Sequence, residues 1–248
     1  MNREQILIEA CVDSVESAIA AQLGGAHRVE LCDSLLEGGT TPSAGMIEVV
    51  RERIAVGLHV LIRPRPGDFC YSDSEFDVML RDVVLARRLG ANGVVLGALD
   101  PDGSVSLARM RALIEAARPM SVTFHRAFDV ARKVTEALEA LIELGVERVL
   151  TSGQMRTAAE GIAAIAGLIS QAAGRVIILP GGGINEENVG QIVSGTGARE
   201  IHLSATHLQP GRSQYRNERV SFRKPFTADE YERPVTDPER IKRIASLL

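Results

Sequence analysis

Several apolar, strand-like runs of this chain carry ionisable or nucleophilic residues at even spacing. ILIEACV holds Glu9 and Cys11, HRVELC holds Glu30 and Cys32, GLHVLIRPR holds His59 and Arg63, and REIHLSA holds His202 and Ser204. Residues two apart in a strand share a face. A charge inside an apolar strand is costly to bury beneath helices, so these faces should look away from them, and each carboxylate brings its cysteine along. In MSVTFHRAFD, either His125 or Arg126 takes the same orientation and the other opens the next loop. So many buried ionisable groups cost stability, and packing alone would not choose them. One pair, such as Glu30 with Arg63, could be an internal salt bridge.

Three chemistries suit the set. The first is a thiolate metal site: Cys11 and Cys32 offer soft donors fit for Cu(I), with His125 or His202 as additional ligands. Against it stands the plain reading of two buried cysteines that pack as small apolar residues. Cys70, in the PGDFCYSD loop, has less claim.

The second is an anion-binding enzyme site. Phosphates bind many (β/α)₈ barrels at the loops after strands seven and eight. Here LPGGGINEEN offers the backbone N–H groups of Gly182 and Gly183 before a helix expected to be capped near Asn185. TSG and LSA add Ser152 and Ser204, and Arg63 and Arg126 could clamp an oxyanion in bidentate fashion. Glycines serve tight turns equally well. With Glu9 or Glu30 as base and His125 as acid, isomerase or lyase chemistry on a small phosphorylated or carboxylated substrate fits. The third reading places Mn²⁺ or Zn²⁺ among Glu9, Glu30, His125 and His202. Lys133, Lys224 and Lys242 are the three lysines and none lies at a strand end, which disfavours a Schiff-base mechanism. No G-x-S-x-G elbow and no complete dinucleotide fingerprint is present, so no organic cofactor is expected.

The elements that must position these groups recur from end to end. Eight strand candidates alternate with helical stretches: ILIEACV, HRVELC, GLHVLIR, NGVVLG, MSVTFHR, ERVLTS, RVIILPG and REIHLSA. Asp13 with Glu16 reads as a capping box, Thr41-Pro42 as an N-cap followed by proline, and Gly24-Gly25, Gly90 and Gly145 as helix ends. LGGAHRVEL, LGANGVVLG, LGVERVLTS and GTGAREIHL form a weak repeat ahead of alternate strands. The expected fold is α/β, a single (β/α)₈ (TIM) barrel domain over residues 1–248. An open doubly wound sheet is the rival, with a less regular rhythm. After Ala205 a long Arg-rich loop is expected at 206–236, as a lid, an oligomer contact or a surface excursion, then a helix at about 237–248.

Composition narrows the partners. A net charge of −4 and a pI near 5.8 argue against non-specific nucleic-acid binding. The N-terminal residues lack a basic segment followed by a long apolar run, and no stretch approaches a membrane span. Three cysteines in a chain this size read as reduced thiols and a cytoplasmic location.

Taken together, EACVDS, GAHRVELC, EGGTTPS, IRPRPGDFCYSD, VTFHRAFD, ERVLTSG, PGGGI and HLSA resemble the CutC copper-homeostasis family of bacteria and animals. The likeness runs through most of the chain and is faintest beyond Ala205, where YRN is similar to a family tripeptide. The resemblance implies a (β/α)₈ barrel, a cytoplasmic location and a homodimer or homotetramer. It further implies a role in copper handling, with Cu(I) binding suggested for animal members. The cysteine pair implicated there matches Cys11, which follows the glutamate of the first strand, and Cys32, which closes VELC. It implies no particular catalytic reaction.

Overall fold

The computed structural model describes residues 6–217, 219–220, 229 and 231–248. The eight apolar runs fold as β1 (Leu7–Val12), β2 (Arg28–Leu31), β3 (Gly57–Leu61), β4 (Gly93–Leu96), β5 (Ser121–Phe124), β6 (Arg148–Thr151), β7 (Ile177–Pro180) and β8 (Glu200–Leu203). Their ladder runs β7-β6-β5-β4-β3-β2-β1-β8, parallel throughout, and β7 and β8 lie side by side at the seam. A doubly wound sheet would reverse its strand order at a switch point. This order never reverses, so the sheet curls into a (β/α)₈ barrel.

The outer ring is α1 (Val15–Leu23), α2 (Ala44–Arg53), α3 (Asp73–Arg88), α4 (Leu107–Ala117), α5 (Val134–Leu144), α6 (Ile162–Ala172) and α7 (Val189–Thr196), with α8 (Pro238–Ser246) at the end. One face of each strand packs under these helices; Ile8, Ala10, Val29, Leu58 and Val60 are fully buried there. No helix among the described residues is long and apolar enough to cross a membrane.

Several helix starts differ from the sequence reading by a residue or more. Ser14, not Asp13, caps α1 by accepting from Ser17 N–H, and Ser43 caps α2 by accepting from Met46 N–H. Thr41 instead accepts from Arg63 N–H at 2.9 Å, tying the β2–α2 loop to the end of β3. The helix expected from Asn185 begins at Val189; Asn185 shapes the preceding turn by accepting from Glu187 N–H. A small polar side chain can cap or turn, and neighbouring candidates compete for the same N–H groups.

The long segment after β8 has order at its base. β9 (Thr206–Pro210) pairs antiparallel with β10 (Glu232–Thr236), and Thr236 N–H donates to Ser17 of α1. Residues 218, 221–228 and 230 of the expected 206–236 loop lie outside the described residues.

The inward faces of the strands carry a buried ionic lattice at the lower end of the barrel. Arg28 donates from Nε to Glu9 Oε2 and from Nη2 to Glu200 Oε2 at 2.7 Å. Arg148 meets Glu200 from the other side at 2.8 and 3.2 Å and also reaches Ser121. Removing one partner of a buried pair strands the other in a medium that solvates charge poorly. Arg28→Met should therefore lose roughly 3–5 kcal/mol in urea unfolding. A loss below about 1 kcal/mol would show that these pairs contribute no more than exposed ones.

Candidate functional site

Above the lattice, the strand ends enclose a cavity of about 140 Å³. Its lining brings together Cys11, Glu30, Cys32, Arg63, His125, Arg126 and His202 from five different strands or their following loops. Cys11 and Cys32 end neighbouring parallel strands, and their sulfurs stand 3.7 Å apart. Cys11, Glu30 and Cys32 form the group of three among the described residues whose potential ligand atoms all lie within 4.8 Å of one another. Metal–thiolate bonds are about 2.3 Å, so a straight S–metal–S line needs sulfurs about 4.6 Å apart. The closer pair suits a bent arrangement with a third donor, which Glu30 is placed to supply. The donor set fits a soft ion.

Charge is distributed unevenly around the thiols. Burial alone would raise the Glu9 carboxyl, but the hydrogen bond with His202 and the charge of Arg28 outweigh it and hold it well below the usual carboxylate range. Glu9 Oε1 meets His202 Nδ1 at 2.8 Å, while His202 Nε2 lies 3.6 Å from Glu30. Burial opposes an imidazolium at His202, yet Cys11, Glu9 and Glu30 together push its pKa well above the ordinary value. The Cys11 thiol falls to about 5, chiefly through the hydrogen bond from Cys32, with His202 reinforcing it against burial. The same bond and burial drive Cys32 upward. Burial and the nearby Cys11 charge likewise raise Glu30. The unit is polarised: Cys11 and His202 shift toward their charged forms, Cys32 and Glu30 toward their protonated ones.

Each imidazole of the mouth leans on a glycine of the neighbouring strand end. A Cβ at Gly97 would sit 2.7 Å from the His125 ring, and one at Gly181 would stand 3.2 Å from His202 and 2.5 Å from Leu150. The other wall is cationic. Arg63 donates to the carbonyls of Glu37, Gly39 and Gly67 and lies over the Phe69 ring. It does not pair with Glu30, the salt bridge considered from sequence; Glu30 faces His202 instead. His125 accepts from Ala127 N–H through Nδ1, and burial followed by the charge of Arg63 lowers its pKa to about 3.

Comparison with known proteins agrees with this architecture. The CutC family model matches residues 6–207. The chain belongs to the CutC family. A CutC family protein of Bacteroides thetaiotaomicron is 50% identical over 94% of this chain and 94% of its own. A mouse copper homeostasis protein cutC homolog is 46% identical over 97% of this chain and 89% of its own. A crystal structure of a CutC chain from Streptococcus agalactiae superposes with a TM-score of 0.76 at 33% identity, covering 80% of this chain and 98% of that one.

Within this CutC barrel, the residues singled out from sequence divide into those at the cavity and those away from it. Glu9 lies beneath the cavity with both oxygens engaged, so it orients His202 and is poorly placed as a base. His125 stands apart from the cysteine cluster, and a shared ion for Glu9, Glu30, His125 and His202 is not assembled. Ser152 is wholly buried and its hydroxyl is taken by Arg126, Asp129 and Met155 O. The Gly182 and Gly183 carbonyls accept from Ala158 N–H and the Asn188 side chain, and Ser204 is exposed. Cys70 is a partly exposed free thiol in its loop.

Sequence reasoning missed Arg28, Arg148 and Glu200, although each lies two residues before Glu30, Leu150 or His202 and shares its face. It also missed Asp129, which anchors Arg126 at 2.7 Å and accepts from Thr151 and Ser152. Phe69 carried no signal, because loop residues have no parity to read.

The thiol asymmetry is measurable. A thiol reacts as its thiolate, so a lowered pKa moves the onset of reaction to lower pH. In the metal-free protein, alkylation of Cys11 should rise through about pH 5 and level off before the ordinary thiol value near ~8.5. Cys32 should stay unreactive over that range. Mass-spectrometric alkylation rates against pH check this, and a Cys11 profile centred near ~8.5 would contradict the assignment.

Proposed function

We propose that this CutC protein is a cytoplasmic copper-handling protein that takes Cu(I) as cargo on the thiolates of Cys11 and Cys32. The observation that carries the reading is the 3.7 Å thiol pair at the rim of a barrel cavity, with Glu30 inside the same cluster. Two sulfurs are soft donors suited to Cu(I); carboxylate-rich sets suit harder ions. The mouse relative is named for copper homeostasis, and the human one carries the same name at 46% identity. A reducing cytosol would keep Cys11 and Cys32 as the free thiols this role requires.

The protein's own groups do the preparatory work. Glu9 fixes the orientation of the His202 ring, and His202 supports negative charge on Cys11. Cys32 and Glu30 are both shifted toward their protonated forms in the absence of a cation. A bound cation favours their deprotonated forms, so uptake should release protons. Arg63, His125 and the hydrocarbon of Leu35 and Leu61 close the remaining walls.

An anaerobic Cu(I) titration against a competing chelator tests the reading. The expected result is one tightly held ion per chain with proton release, and loss of roughly a hundredfold or more in affinity in Cys11→Ser/Cys32→Ser. Binding indifferent to both thiols would overturn it.

A further inference from the structure

The thiolate reading leaves the wall built by the ends of β3 and β5 without a role. Arg63 is 6% exposed, and no carboxylate among the described residues lies within salt-bridge distance of it. Backbone carbonyls take its Nη1 twice and its Nη2 once, while Nε has no partner. Buried guanidinium groups are ordinarily matched by an anion, because peptide dipoles compensate a full charge poorly.

Two more groups close by are in the same condition. His125, 4% exposed, has its Nδ1 occupied by Ala127 N–H, so the proton of the neutral ring sits on Nε2, and Nε2 is unpartnered. The buried hydroxyl of Tyr71 lies beside Arg63 with no acceptor for its own proton, and burial pushes its pKa up to about 12, so it keeps that proton. Phe69 joins this wall: Arg63 lies 5.1 Å over its ring, and the His125 ring is 4.8 Å away. Arg63, Phe69 and His125 all line the mouth cavity. Three buried donors, Arg63 Nε–H, His125 Nε2–H and Tyr71 O–H, without an acceptor are rare together in a folded protein and costly unless a ligand satisfies them.

We infer that the Arg63–His125 wall is a binding site for a small oxyanion, a phosphate or short-chain carboxylate, seated in the mouth beside the thiol pair. The free Nε–H and the adjacent Nη2 of Arg63 form one edge of the guanidinium, the edge that meets two oxygens of an oxyanion at once. His125 Nε2–H adds a neutral donor, and Phe69 supplies an apolar floor. The cavity of about 140 Å³ has the volume of roughly five waters at ~30 Å³ each. It admits an ion of phosphate or malonate size and excludes a nucleotide. The site goes beyond the copper reading and does not depend on it, since none of its donors is a thiol.

Isothermal titration of the metal-free, full-length protein with phosphate and, separately, malonate tests the inference, with chloride at matched ionic strength as the blank. Saturable one-to-one binding of at least one anion is expected, retained in Cys11→Ser/Cys32→Ser. It should weaken roughly tenfold or more in Arg63→Met and in His125→Phe. Binding of phosphate alone points to a phosphoryl ligand, and binding of malonate alone to a carboxylate. If Arg63→Met fails to fold, His125→Phe, which keeps the ring packing, decides. No saturable binding of either anion overturns the site, as does undiminished binding in either folded variant. Failure of the copper titration leaves these outcomes untouched, so the two readings fall separately.

Discussion

A single carboxylate, Glu9, sits where the supporting lattice meets the chemistry of the mouth. One oxygen takes the Arg28 guanidinium and the other takes His202 Nδ1, with no exposure of the side chain to solvent. Burying a carboxylate this deeply is costly, and only the two flanking cations make its charged state stable. Arg28 is held from its far side by Glu200, which Arg148 holds in turn. The lattice thereby fixes the position of Glu9 and adds to the effect of His202 in keeping it charged, and Glu9 orients the His202 ring and, with Cys11 and Glu30, favours its charged form. The thiolate of Cys11 is the last link in that sequence. Cys32 lowers the Cys11 thiol most, and the lattice adds to this by orienting the imidazole that reinforces it.

The mouth is consequently divided. On the side of β1, β2 and β8, the thiol of Cys11 is shifted toward its anion while a second thiol and a carboxyl are shifted toward their protonated forms. On the side of β3 and β5, donors converge, and Arg63 Nε and His125 Nε2 are left without partners. Glycines on adjoining strands let imidazoles occupy positions that any larger residue would fill, as at Gly97 and Gly181. A soft cation and a small anion are electrostatic complements of these two walls. Both could occupy one cavity, each lessening the cost of burying the other.

Much of this was legible from strand parity. Alternating side-chain direction put Glu9 with Cys11 and Glu30 with Cys32, and the structure places Cys11, Glu30 and Cys32 in one cluster. Depth was not legible. Parity alone cannot distinguish Glu9, locked beneath the cavity, from Glu30 at its edge, because both satisfy the same alternation. Arg28, Arg148 and Glu200 obey the rule too, but their positions at strand starts gave no reason to expect four charges to neutralise one another inside a barrel. The carbonyls of the glycines after β7 serve local turns, which leaves the expectation about their N–H groups unchanged. The roles of Phe69 and Asp129 arise from loop conformations, which depend on tertiary contacts distant in sequence.

The account rests most heavily on His202 carrying a proton in the metal-free protein, and ¹⁵N NMR of the histidine side chains reports this directly. Near pH 7.5 the account predicts two protonated ring nitrogens for His202, raised by Cys11, Glu9 and Glu30 against burial. His59 and His125, lowered by burial to about 4 and about 3, should be neutral in the same spectrum. Assignments come from single His→Asn variants. A neutral His202 at that pH would mean that Cys11, Glu9 and Glu30 do not outweigh burial of the imidazole, and Cys11 would lose the reinforcement His202 gives beside Cys32.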